Sequence, residues 1–213
     1  MVSPSTSERP GGTAAMAEQN APRRRRDPQR RIAEIAAATE RVIAERGIEG
    51  LTHRAVAEEA GVPLGATTYH FATKDDLIAA ALQRSVARFG AYLEDWVAQR
   101  PELTPEQLTV LLTDALMGCF GPARDTQVME FELYMAALRR PALREVADQY
   151  MQLSIDALLP YTDPVTAHAA TVAMNGITLR GLAGTRPPTR TEVEAVLRRI
   201  LTPNPALPTD DLA

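Results

Sequence analysis

With one cysteine in 213 residues, Cys119, the chain can form no internal disulfide and no clustered thiolate metal site, and nothing points to secretion. No apolar run approaches the ~20 residues that a spanning helix needs, and the N-terminal segment lacks the apolar centre of a signal peptide. A cytoplasmic protein without a membrane partner is expected. No nucleophile elbow, phosphate-cradling glycine loop or zinc-protease motif is present. His53, His70 and His168 stand apart without a nearby carboxylate or thiolate pattern, so neither a metal, a cofactor nor an enzyme is expected. Lysine is nearly missing as well: Lys74 is the single lysine among 23 basic residues. A sustained two-residue apolar alternation is also lacking, which leaves no candidate sheet.

What is present is an ordinary globular composition, 45% hydrophobic and 23% charged, with a net charge of −4. The acidic balance hides a basic segment. Arg23, Arg24, Arg25, Arg26, Arg30 and Arg31 face only Asp27, a local charge of +5. Residues 1–26 are rich in Ser, Pro, Gly, Thr and Ala without apolar period and read as a disordered basic arm. That arm is either a solvated tail or a segment seeking phosphate and the minor groove. Residues 204–213 read as a loose tail.

Between these ends the pattern is all-α, about nine helices. The first is expected over Pro28–Arg46, with Asp27 as cap, Pro28 at its first position and Gly47 past its end. Thr52 caps a short second helix that stops at Gly61, Pro63 starts a third to about His70, and Lys74–Arg100 forms a long fourth. Thr104, Pro105 and Gln107 make a capping box for a helix to about Phe120. Further helices are expected over about Thr126–Arg139, Ala142–Leu159 and Pro164–Ala183, the last opened by Asp163. Thr189 with Glu192 opens a final helix to Leu201.

The segment Thr52 to Phe71 carries the chemistry. Ala57 precedes Gly61 by four residues; a small residue lets the second helix approach the third, and glycine supplies the turn between them. Val56, Val62, Thr67 and Phe71 are expected to face the first helix. The other side of the third helix then shows Leu64, Gly65, Ala66, Thr68 and Tyr69, small enough at its start to enter a major groove closely.

From Pro28 to about Arg88 the chain resembles the TetR family of transcriptional regulators. The residues that carry the resemblance are Gly47, Leu51-Thr52, Ala57, Ala60-Gly61-Val62, Gly65, Tyr69-His70-Phe71, Lys74 and Leu77. It implies a DNA-binding domain over 27–88, with the helix-turn-helix at 52–71, and a ligand-binding and dimerisation domain over 89–203. It further implies that Thr52 meets a phosphate at a helix N-terminus, that Arg54 reaches a base and that Lys74 meets a phosphate. His53 and His70 belong to the same expected DNA-contacting set. One departure is visible: the family tyrosine two residues before the His-Phe pair is Thr68 here, and the aromatic is Tyr69. Either Tyr69 takes over that phosphate contact, or Thr68 makes a shorter one and Tyr69 stacks against sugar and thymine methyl groups.

In the second domain Phe89, Tyr92, Cys119, Tyr150 and Met174 read either as core or as pocket. The residues assigned to a small-molecule pocket are Trp96, Met117, Phe120, Phe131, Tyr134, Met151, His168, Thr171 and Asn175. His168, Thr171, Asn175 and Thr178 form a polar stripe of helical spacing, serving a pocket or a dimer interface. The small residues Ala169, Ala173, Gly176 and Gly181, with Val193, Val196, Leu197, Ile200 and Leu201, suggest a homodimer through the last two helices. The function expected is a ligand-released repressor that binds double-stranded operator DNA as a homodimer and answers to an unidentified small-molecule effector. The alternatives are a DNA-binding protein without ligand and, more distantly, a helical small-molecule-binding protein or enzyme.

Overall fold

The structure, a computed structural model, describes residues 28–202. The arm before Pro28, its cap Asp27 and the tail from 204 lie outside the described residues. Among those described there are nine α-helices, one 3₁₀ turn at Pro141–Leu143 and no strand. The helices are α1 Pro28–Arg46, α2 His53–Ala60, α3 Leu64–His70, α4 Lys74–Ala98, α5 Pro105–Gly118, α6 Arg124–Ala136, α7 Arg144–Leu158, α8 Pro164–Ala183 and α9 Arg190–Leu201. None is long and apolar enough to cross a membrane.

Local chemistry sets most boundaries. Gly47 ends α1 at φ +66°, a left-handed conformation that costs a side-chain-bearing residue about 1–2 kcal/mol. Thr104 with Gln107 and Thr189 with Glu192 form the expected capping boxes. A third box, Thr73 with Asp76, opens α4 and adds to the two expected ones. Its hydrogen bonds to Thr73 hold the Asp76 carboxyl below its ordinary range.

Where α5 and α6 end short of expectation, the last turn has tightened. At the end of α5, Cys119 N donates to Leu116 O and Phe120 N to Met117 O, so the α-helix stops at Gly118 instead of Phe120. The same three-residue bonds, Ala137 N to Tyr134 O and Leu138 N to Met135 O, end α6 at Ala136 instead of Arg139. Pro141 opens a 3₁₀ turn, and α7 therefore starts at Arg144, not Ala142.

The apolar interior forms two clusters. In the first, Ile35, Val42 and Ile43 of α1 pack with Val56, Leu77, Ile78 and Leu82, and with Met129, Leu133 and Leu143. This cluster reaches beyond residue 88, so α6 and the start of α7 are packed on the N-terminal helices. Glu132 reinforces the seam: its Oε2 accepts from Ile48 N, in the α1–α2 loop, at 3.0 Å. The second cluster joins α5, α8, α9 and the end of α7 through Leu108, Leu112, Leu116, Leu158, Ala167, Val193, Leu197 and Leu201.

Two interface expectations are corrected here. Val193, Leu197 and Leu201 are buried inside their own chain against α5 and α8, which leaves Val196 exposed and Ile200 half-buried on α9. Gly181 is buried too; a Cβ on it would stand 2.3 Å from Phe120 Cε1, so Phe120 of the same chain occupies the space a second helix was expected to use.

Candidate nucleic-acid interface and ligand cavity

The helix-turn-helix is built from short-range bonds. The Thr52 hydroxyl accepts from Ala55 N at 3.1 Å and caps α2. Gly61 turns the chain at φ +63°, and Val62 N returns to Ala57 O at 3.0 Å. Ala57 is buried under the turn, as its small size allows. Pro63 precedes α3 without a side-chain cap. Thr67 compensates from within: its hydroxyl donates to Leu64 O at 2.8 Å and approaches His53 O at 3.5 Å, which pins α3 to α2.

The two faces of α3 are sharply unequal. Val56, Val62, Thr67 and Phe71 are buried, as read from the sequence, whereas Tyr69 is 82% and Leu64 51% exposed. Gly65 and Thr68 are exposed, Ala66 and His70 half-buried. A Cβ on Gly65 would meet nothing within 4 Å, so the start of α3 is open on this side. Around this face, Thr52 and Arg54 are exposed and Lys74 is half-buried. Arg54 Nε lies 3.2 Å from Glu58 Oε1, an exposed pair of the kind worth little in water. Lys74 Nζ reaches Glu49 O at 3.5 Å, which draws the start of α4 to the loop before α2. His53 is different: it is half-buried and its Nδ1 is buried without a hydrogen-bond partner.

Behind this head a cavity of about 430 Å³ opens between α4, α5, α6, α7 and α8. Of the sequence-assigned pocket residues, Trp96, Phe131, Thr171 and Asn175 line it. The other five do not. Met117 packs into the second cluster, Phe120 against Gly181, and Tyr134 into the first cluster near Tyr150. Met151 does not line the cavity itself; its Sδ lies 3.6 Å from Asn175 Nδ2. His168 is exposed on α8, so the polar stripe splits: Thr171, Asn175 and Thr178 turn to the cavity and His168 to solvent.

Phe89, Tyr92, Cys119, Tyr150 and Met174 belong to the lining, with Phe89 stacked on Tyr150 at 4.7 Å. Sequence reasoning missed Arg88, Gln127 and Glu130, which carry the cavity's charge and part of its polarity. Glu130 accepts from Ser85 Oγ at 3.1 Å, Gln127 Nε2 at 2.6 Å and Arg88 Nη2 at 3.4 Å. Burial holds its carboxyl above the ordinary range against the opposing pull of Ser85 and Arg88. Burial likewise pushes the Cys119 thiol up, which disfavours the nucleophilic thiolate. No sequence period marks Glu130, because its meaning depends on Arg88 and Ser85 more than forty residues away.

Comparison with known proteins agrees with this geometry. Residues 35–81 match the family model "Bacterial regulatory proteins, tetR family", and residues 103–203 match "Tetracyclin repressor-like, C-terminal domain". The HTH-type transcriptional regulator PksA of Bacillus subtilis (strain 168) is 34% identical over 110 residues, 52% of this chain. That match spans about half the length of the curated relative, 51%. The crystal structure of multidrug binding protein EbrR complexed with ethidium is 43% identical with a TM-score of 0.71, covering 82% of this chain and 99% of that one. A member of the TetR family from Streptomyces coelicolor A3 is 40% identical with a TM-score of 0.66, covering 80% of this chain and 97% of that one.

Proposed function

The chain belongs to the TetR family of DNA-binding transcriptional regulators, and from that premise we propose that it is a homodimeric repressor released from its operator by an aromatic cation. The observation that carries the DNA half is the inequality of α3, whose Thr67 side is sealed while Leu64 and Tyr69 stand free. Leu64, Gly65, Ala66, Thr68 and Tyr69 enter the major groove, Arg54 reads a base, and Thr52 and Lys74 fix the register on phosphates. His70 supports Tyr69 edge-on at 5.0 Å, and His53 contributes from the α2 N-terminus.

One α3 reads only a few base pairs, so specificity calls for two heads ~34 Å apart on a pseudo-palindrome. The dimer surface is the stripe Val165, Val172, Gly176 and Leu179 on α8 with Val196 on α9, all exposed. Its period of 3, 4 and 7 residues fits helix-on-helix packing.

The effector class follows from the cavity's aromatic walls around the carboxylate of Glu130. A planar cation gains from ring faces and from a partly desolvated carboxylate. One relative, multidrug binding protein EbrR, 40–43% identical across its structures, was solved with ethidium, proflavin and malachite green. The ligand releases DNA only through differential affinity for the arrangement of heads that does not fit the operator; about 1–3 kcal/mol of coupling lowers operator affinity several-fold to a hundred-fold. The test is a gel-shift of the protein on its own upstream DNA against scrambled competitor, at two salt concentrations and with ethidium added. Salt-dependent binding that survives the competitor, and that ethidium abolishes at a lower concentration for the wild type than for Glu130→Gln, supports the reading, because intercalation of the dye into the DNA itself acts on both alike. Failure of ethidium and proflavin to bind overturns the effector half, and indifference to sequence overturns the operator half.

A further inference from the structure

Threonines buried in these helices normally satisfy their hydroxyls one turn back. Thr39 donates to Ile35 O at 2.9 Å, Thr109 to Pro105 O at 2.7 Å, Thr113 to Thr109 O at 2.7 Å and Thr178 to Met174 O at 2.9 Å. Thr171 does not. It is 1% exposed, its Oγ1 is buried without a hydrogen-bond partner, and it stands in the wall of the aromatic cavity. An unpaired buried hydroxyl is a standing cost that native interiors rarely carry, and one set in a cavity wall and closed to solvent, as Oγ1 is, is relieved by a ligand that displaces its cover and supplies the partner.

Asn175, one turn further along α8, lines the same cavity. Its Nδ2 is engaged inside the protein, donating to Thr171 O at 3.0 Å and toward Met151 Sδ at 3.6 Å. That orientation assigns the carbonyl Oδ1 the acceptor role. The two residues together offer one group that both donates and accepts and one that accepts, on a wall formed by a helix other than the one carrying Glu130.

We propose that Thr171 and Asn175 form a hydrogen-bonding subsite that selects, among aromatic cations, those bearing an N–H or O–H substituent on the ring. This rests on the effector reading above and deepens it. Ring faces and a carboxylate attract any planar cation alike. A hydroxyl and an amide carbonyl discriminate by substituent, because only a ligand with a donor group satisfies both at once.

The test uses two dyes on the full chain, followed by fluorescence titration: proflavin, which carries ring amino groups, and N-methylacridinium, a cation of the same tricyclic skeleton with no N–H group. Thr171→Val removes the hydroxyl at nearly equal volume and Thr171→Ser keeps it. Thr171→Val is expected to weaken proflavin about 3- to 10-fold, the worth of one net hydrogen bond. N-methylacridinium should be unaffected by it, and Thr171→Ser should retain the preference for proflavin. The melting temperature of Thr171→Val should not fall, since valine deletes a hydroxyl that had no partner. Equal losses for both dyes, or no loss for either, overturn the subsite. Failure of the wild-type protein to bind either dye overturns the effector reading itself, and the subsite with it.

Discussion

Arg88 on α4 holds Glu40 on α1 at 3.0 Å. The same guanidinium lies 3.4 Å from Glu130 on α6, and Arg84 reaches Glu40 from one turn earlier at 3.2 Å. Glu40 and Glu130 are both mostly shielded from solvent. A residue of the cavity wall is therefore ion-paired directly to the first helix of the DNA-binding head.

In the proposed effector complex, Glu130 supplies the charge that attracts the cation. Glu130→Gln is expected to weaken ethidium by about 10-fold or more, the scale of a charge-assisted contact. The pH dependence has a definite sign. Burial raises the Glu130 carboxyl, so its charge, and with it ethidium affinity, is lost on acidification at a higher pH than for an ordinary glutamate. Fluorescence titration across acid pH checks this, and the Gln variant should show a flat profile.

The proposed DNA contacts give Arg54 and Lys74 different roles. Arg54→Ala should cost about 1–3 kcal/mol at one base position and relax specificity there. Lys74→Ala should weaken all sequences alike and reduce the salt slope by about 0.9 for each phosphate left without its cation. Binding isotherms at several salt concentrations on operator and mismatched DNA distinguish the two.

Val172 is half exposed at the middle of the α8 stripe. A carboxylate there would be buried unpaired at a dimer interface, so Val172→Asp should yield a folded monomer that no longer binds the operator. Sedimentation with circular dichroism checks both points, and an unchanged dimer would place the interface elsewhere.

Two glycines should fail for different reasons. Gly181→Ala puts a Cβ 2.3 Å from Phe120 Cε1 and 2.7 Å from Pro188 Cδ, an overpacking expected to cost about 1–3 kcal/mol. Gly61→Ala meets nothing within 4 Å, and its cost is the left-handed backbone alone, about 1–2 kcal/mol. Urea unfolding measures both. Only Gly61→Ala should also impair DNA binding, since it sets the angle between α2 and α3.

Glu192 gives a second pH signature. Its bond to Arg186, then those to Thr189, hold its carboxyl at about 2, below the ordinary 4.5. A depressed carboxyl stabilises the fold above the ordinary value, and that contribution is lost as pH falls through about 2. The melting temperature of Glu192→Gln should lie below the wild type at neutral pH and converge with it in strong acid.

What the sequence determined by itself is the part that short-range chemistry dictates. Capping boxes span three residues, helix-ending glycines act on their own backbone, and the Ala57–Gly61 pair acts across a single turn. The all-helical class, the end of α1, both ends of α8 and α9, and the exposed face of α3 apart from Ala66, which packs on the first cluster, were legible for that reason. Tertiary packing alone decided which of two possible neighbours each long helix met. It turned Val193, Leu197 and Leu201 inward, set Phe120 over Gly181, left His168 in solvent, and brought Arg88, Gln127 and Glu130 together in the cavity. An apolar or charged residue on an amphipathic helix has the same local signature whether it faces a core, a cavity or a second copy of the chain. The difference lies in groups forty or more positions away, which no local period records.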